Sequence, residues 1–250
     1  MTLHTQTVDP FMLRALQELQ EDLALTSFRL AGGTSIALLR GHRQSVDLDL
    51  FTDQRIVLTK LDESVEKFTP VTKTQYAIGC TYEFPDPDGR PNLKVDFCNW
   101  RTPFLYPPLV VEGLRLTDLR ESCADKFNAL TGRHELKDVW DIAELLKIYD
   151  LPQMVAFYRQ KHPFLDHREP IRALTGFSYD QPVTFRILNG ETLETVRQRI
   201  RTALETLKNK PVAEKTIQVP PGYAEKMAQK KLSEKQNPKL TPGKRRGPRM

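Results

Sequence analysis

The run VDLDLF at residues 46–51, with two glycines ahead of it, constrains this chain more than any other feature. In an extended segment, successive side chains point to opposite faces. Asp47, Asp49 and Phe51 therefore share one face, and Leu48 and Leu50 the other. The leucine face needs an apolar partner, so the run reads as a strand packed on helices. The two carboxylates sit about 7 Å apart, twice the strand rise. Like charges held that close repel, and the arrangement is costly unless a cation joins them.

Thirteen residues separate Gly33 from Asp47. FRLAGG reads as a short strand ending in glycines. TSIALLRG reads as a helix opened by Thr34 and closed near Gly41. Between a strand and a helix, glycines let backbone N–H groups approach an anion, and the helix N-terminus favours negative charge. Taken singly, each feature has a plain explanation: D-x-D fits surface carboxylates, and G-G fits a tight turn. Together they make a phosphate cradle upstream of a metal-binding pair.

A second acidic strand follows. In LKVDFCNW, Leu93, Val95 and Phe97 share one face, and Lys94, Asp96 and Cys98 the other. Aspartate in mid-strand goes against propensity, and broken local rules mark functional sites. If this strand lies beside the first, Asp96 joins Asp47 and Asp49. Oxygen-only ligands favour a hard ion such as Mg²⁺. Three carboxylates can hold two such ions for in-line phosphoryl or nucleotidyl transfer.

The surrounding pattern predicts an α+β half followed by a helical half. DPFMLRALQELQEDLA reads as a helix with Phe11, Leu13, Leu16, Leu19 and Leu23 on its apolar face, opened by Asp9-Pro10. DQRIVLTKLDESVEKF also reads as helical. VTKTQYAIGCTYEF and NLKVDFCNW read as two strands of a hairpin joined by the turn-rich PDPDGRPN. Four helices follow: TDLRESCADKFNALTGR with Thr117 as N-cap, ELKDVWDIAELLKIY, PQMVAFYRQKH and ETLETVRQRIRTALETLKN. Residues 1–115 form the expected α+β domain, 116–208 the helical domain, and 209–250 a basic, disordered tail.

Charge divides the same way. The chain carries a net +5. From Lys208 to Met250 there are 12 Lys+Arg and 3 Asp+Glu, a balance of +9, which leaves the body at −4. A basic tail on an acidic body points to nucleic acid. No stretch approaches the length of a membrane span, and the N-terminus lacks the basic start and apolar core of a secretory signal. Cys80, Cys98 and Cys123 lack metal-like spacing and read as reduced thiols of a cytoplasmic protein. The five histidines show no ligand pattern.

The stretch LAGGTSIALLRGHRQSVDLDLF resembles the signature of the DNA polymerase β-like nucleotidyltransferase superfamily, and within it the AbiEii/AbiGii-type toxins of type IV toxin–antitoxin systems. LKVDF occupies the place of that family's third acidic strand. ADKFNALTGRHELKDVWDIAELL is similar to its lysine-bearing helix and the K-D-x-x-D helix after it, and ALTGFSYDQPVTFRILNGETLETVRQRI to its C-terminal segment. The likeness spans about residues 10 to 208. Many relatives have serine where Gly33 stands, so any role of that hydroxyl is lost here.

The resemblance implies a polymerase β-like core and transfer of an NMP from an NTP to an acceptor hydroxyl. Asp47 and Asp49 would bind both metals, and Asp96 would bind one and activate the hydroxyl. Gly32, Gly33 and Thr34 would contact the triphosphate. Lys126 would neutralise phosphate charge with help from Arg133, and Asp141, or else Asp138, would complete the site. Arg43 and Ser45 stand just before the metal strand, to touch phosphate or the acceptor, or to order the loop. Read without the resemblance, Lys126 is a solvent-facing helix lysine and Arg133 a helix C-terminal charge. The implied acceptor is RNA, with a tRNA 3′ end as the specific expectation, and the implied partner is a cognate antitoxin. Two other classes remain: a small-molecule, antibiotic-type nucleotidyltransferase, and a non-catalytic nucleotide-binding partner protein.

Overall fold

A computed structural model describes residues 1–99 and 102–209. Apart from Asn209, the expected basic tail lies outside the described residues.

Among those residues the chain builds one seven-stranded mixed sheet, in spatial order β3 (Thr72–Tyr76), β4 (Gly79–Phe84), β5 (Leu93–Asn99), β2 (Asp47–Thr52), β1 (Arg29–Leu30), β7 (Leu114–Leu116) and β6 (Leu109–Val111). Helix α1 (Pro10–Glu21) opens as expected, with the Asp9 side chain accepting from Phe11 N and Pro10 in the first turn. Its buried face is centred on Met12, Leu16 and Leu19. Leu23, expected on that face, lies beyond the helix and is exposed. The short strand β1 (Arg29–Leu30) leads into α2 (Gly32–Arg40). This helix starts two residues before Thr34, and Gly41 closes it in the left-handed conformation. Strand β2 is Asp47–Thr52, with Leu48, Leu50 and Thr52 buried and the acidic side half-buried.

Helix α3 covers only Leu58–Val65, because residues 53–57 form the loop that leaves β2. The run expected as one strand is itself a hairpin of β3 (Thr72–Tyr76) and β4 (Gly79–Phe84). Strand β5 (Leu93–Asn99) pairs antiparallel with β4 and parallel with β2. The hairpin of β6 (Leu109–Val111) and β7 (Leu114–Leu116) extends the far edge beside β1.

Helix α4 (Leu119–Arg133) is capped by Asp118, not Thr117, because the Asp118 carboxylate reaches Arg120 N. It packs against α5 (Leu136–Leu145), α6 (Leu151–Lys161) and α7 (Glu169–Thr175), while α8 (Leu193–Asn209) covers α5, α6 and α7. One contiguous core joins Leu30, Leu48, Leu50 and Phe97 of the sheet to Phe127, Val139, Trp140 and Ile142 of the helices. The expected boundary after residue 115 falls inside β7; we propose a division after Leu116 instead. The three cysteines are buried. Among the described residues no helix is long and apolar enough to cross a membrane.

Candidate active site

The β2–β5 pairing brings the acidic residues together. In its parallel register Asp49 stands opposite Asp96, and Asp47 opposite Lys94. Asp47, Asp49 and Asp96 therefore lie on one face of two adjacent strands. Burial and the facing Asp96 carboxylate push the Asp49 carboxyl up to about 6, against the pull of Lys126. Asp96 accepts hydrogen bonds from Thr81 on β4 and, at 2.7 Å, from Lys94 Nζ.

The glycines meet this face. Gly32 has φ +65°, and a Cβ there would fall 2.0 Å from Asp49 Oδ2. Only a residue without a side chain allows the Asp49 carboxylate to rest against the start of α2. Ala31, before the helix, offers no side-chain cap. The first-turn N–H groups of Gly32, Gly33 and Thr34 consequently have no acceptor within the helix. They form the positive end of its dipole beside the acidic strands.

Thr34 and Ser45 are bound into the loop. Thr34 Oγ1 donates to the Asp47 carbonyl at 2.5 Å and shares a hydrogen bond with Ser45 Oγ at 2.8 Å. Both residues are buried, and their hydroxyls fix the end of β2 to α2. Thr34 can offer an anion its N–H, while its hydroxyl is occupied.

Behind the glycine turn lies a buried ionic cluster. Asp141, on α5, is wholly buried. It accepts from Arg43 Nε at 2.7 Å and Nη2 at 2.8 Å, meets His42 Nε2 at 2.7 Å, and lies 2.6 Å from Lys126 Nζ. Lys126 also donates to Asp138 at 2.9 Å. Asp138 in turn holds Arg133 through two bonds of 2.7 and 2.8 Å. Burial opposes each charge, yet Arg43 and Lys126 hold the Asp141 carboxyl well below its usual range, and Asp141 and Asp138 raise the Lys126 ammonium. Arg43, Lys126 and Arg133 thus face Asp141 and Asp138, with Glu135 a further 3.7 Å from Arg133.

Several residues expected at the site lie in or beside this cluster. Lys126 is not solvent-facing: it is 4 % exposed and clasped by two carboxylates. Arg43 Nη1 also donates to the Gln44 carbonyl, and the same loop is tied to the 186–188 segment by Gln44 N donating to Arg186 O and Leu188 N donating to His42 O. Arg133 is half-exposed and keeps one side toward solvent. Asp138 and Asp141 both belong to the cluster, where each holds two cations in place. Three contributors escaped sequence reasoning: His42, Thr81 and Lys94. His42 had only its place beside Arg43 as a signal, and Lys94 shared the strand face of Asp96.

The donor chemistry of Asp47, Asp49 and Asp96, oxygen ligands on one strand face, fits a hard divalent ion. As the side chains sit, no three His, Cys, Asp or Glu groups among the described residues converge on one point. Asp96 is turned onto Lys94 and Thr81 instead.

Comparison with known proteins gives a family-model match over residues 14–195, described as the nucleotidyl transferase AbiEii toxin of a type IV toxin–antitoxin system. No curated protein matches the sequence. Among solved structures, the chain is similar to MenT4, a nucleotidyltransferase toxin from Mycobacterium tuberculosis H37Rv, at a TM-score of 0.58 and 15 % identity, with 92 % of this chain and 90 % of that one covered. It is also similar to JHP933 from Helicobacter pylori, at a TM-score of 0.53 and 15 % identity, with 90 % and 94 % covered. At such identities the likeness speaks for the fold.

Proposed function

We propose, from the premise that the chain belongs to the AbiEii nucleotidyltransferase toxin family, that it moves an NMP from an NTP to a hydroxyl of RNA, at a tRNA 3′ end. Family membership makes it a toxin-type nucleotidyltransferase and implies an antitoxin partner. The NTP, the RNA acceptor, magnesium and a cytoplasmic setting are our reading. The observation that carries it is the register that sets Asp49 opposite Asp96, with Gly32 closed against Asp49.

The residues divide the work as follows. The N–H groups of Gly32, Gly33 and Thr34 hold the triphosphate at the start of α2. Arg133 meets it from solvent, while Arg43 and Lys126 supply fixed positive charge from the buried cluster. Asp96 accepts the proton of the attacking hydroxyl. A new O–Pα bond forms, the bond from Pα to the bridging oxygen breaks, and pyrophosphate leaves. Two Mg²⁺ ions held by Asp47, Asp49 and Asp96 would supply charge neutralisation at the phosphates and lower the pKa of the hydroxyl. Asp141 and Asp138 act by positioning the cations.

The test is transfer of label from each α-³²P NTP in the presence of total RNA and protein extract. Label in tRNA that is lost in Asp47→Ala and Asp49→Ala supports the reading. Label confined to a small molecule replaces RNA with an antibiotic-type acceptor. Undiminished labelling by both variants overturns the site.

A further inference from the structure

One cation already stands among the three carboxylates. Lys94 lies two residues before Asp96 on β5, so the two side chains share the acidic face. Lys94 Nζ is 2.7 Å from Asp96 Oδ2. In the parallel register Lys94 is the partner of Asp47.

The setting of Lys94 differs from that of Lys126. The Lys94 side chain is 48 % exposed and its Asp96 partner 18 %. A pair this open to water is held weakly, and a lysine carries its charge on a flexible four-carbon stem. Lys126 is buried and gripped by two carboxylates. Lys94 can be displaced, while Lys126 is fixed.

We infer that Lys94 is the resident counter-ion of the acidic face: it occupies Asp96 in the absence of a divalent cation and must leave Asp96 for one to bind. The phosphates of an arriving nucleotide give the displaced ammonium a new partner. Metal loading is thereby tied to nucleotide loading, and the bare protein discriminates against free divalent ions. The inference rests on the nucleotidyltransferase reading and adds a control on its loading.

The experiment is Mn²⁺ binding followed by electron paramagnetic resonance on the full chain, without nucleotide. Lys94→Gln should bind Mn²⁺ about tenfold more tightly than wild type, since a like charge leaves the immediate neighbourhood of the ion. Lys94→Arg keeps the charge and should bind as weakly as wild type. The α,β-methylene analogues of the four NTPs should tighten Mn²⁺ binding more in wild type than in Lys94→Gln, because linkage is reciprocal. Melting curves establish that each variant is folded. Equal or weaker Mn²⁺ affinity in Lys94→Gln, or no bound Mn²⁺ on either protein, overturns the inference. Loss of label transfer in Asp49→Ala beside an unchanged Mn²⁺ affinity in Lys94→Gln removes only the role of Lys94. Retained transfer in Asp49→Ala removes the enzymatic reading itself.

Discussion

The guanidinium of Arg43 lies where a side chain at Gly33 would begin: a Cβ there would fall 2.1 Å from Arg43 Nη2 and 3.2 Å from Asp141 Oδ2. Arg43 cannot give way cheaply, because Asp141 grips it at both ends of the fork. The two glycines thus serve two neighbours. Gly32 admits Asp49 and Gly33 admits Arg43, so the acidic face and the basic cluster meet across one turn of backbone.

Gly33→Ala should cost about 1–3 kcal/mol, the usual range for overpacking a tight site. Urea unfolding measures it directly. A midpoint equal to wild type would mean that Arg43 does not hold its place against the turn.

Asp49→Asn should abolish transfer and yet stabilise the metal-free protein near neutral pH. The Asp49 carboxyl titrates at about 6 in the folded chain, above its ordinary 3.8. The folded state therefore binds more protons than the unfolded one between these values, and its stability falls as pH rises through them. Asparagine removes the penalty. The melting temperature of the variant should exceed wild type by a few degrees at pH 7.5, and the two should converge near pH 4. A gap that persists at pH 4 would contradict the assignment.

Asp141→Ala should be among the most damaging single changes. It leaves Arg43 and Lys126 with unbalanced buried charge, and breaking such a pair from one side costs about 3–5 kcal/mol. Denaturant titration should show it. Near-wild-type stability together with lost transfer would instead make Asp141 a direct participant in the chemistry.

Arg133→Gln should leave the fold intact, since half of that side chain faces solvent. Its effect should appear as a higher KM for NTP, with kcat changed less. An unchanged KM would confine Arg133 to pairing with Asp138.

Deleting residues 211–250 should weaken RNA binding at low salt and flatten its salt dependence, because that segment carries most of the basic excess. Identical binding by the shortened chain would remove the tail from any role with RNA.

The acidic strands were legible because their signal is local. Period-two alternation places Asp47 and Asp49 opposite Leu48 and Leu50, and Asp96 opposite Val95 and Phe97, whatever else the chain does. The main helices were legible for the same reason, from three-to-four residue spacing. Shorter elements were not. Strands β6 and β7 have three residues each, too few to show a period, although the Glu112-Gly113 turn between them has the positive φ angles of a tight hairpin. The β3–β4 hairpin was hidden in one continuous polar-apolar run.

By itself the sequence determined which face of each strand is charged, where the long helices run, and that two glycines follow the first strand. The tertiary structure alone decided the register that sets Asp49 against Asp96. It also turned Lys126 inward, and joined Arg43 to an aspartate 98 residues away. Backbone geometry repeats every two or every 3.6 residues and leaves its mark on neighbouring letters. A buried ion pair depends on which helix packs over which turn, and it forms only when both partners lose water together.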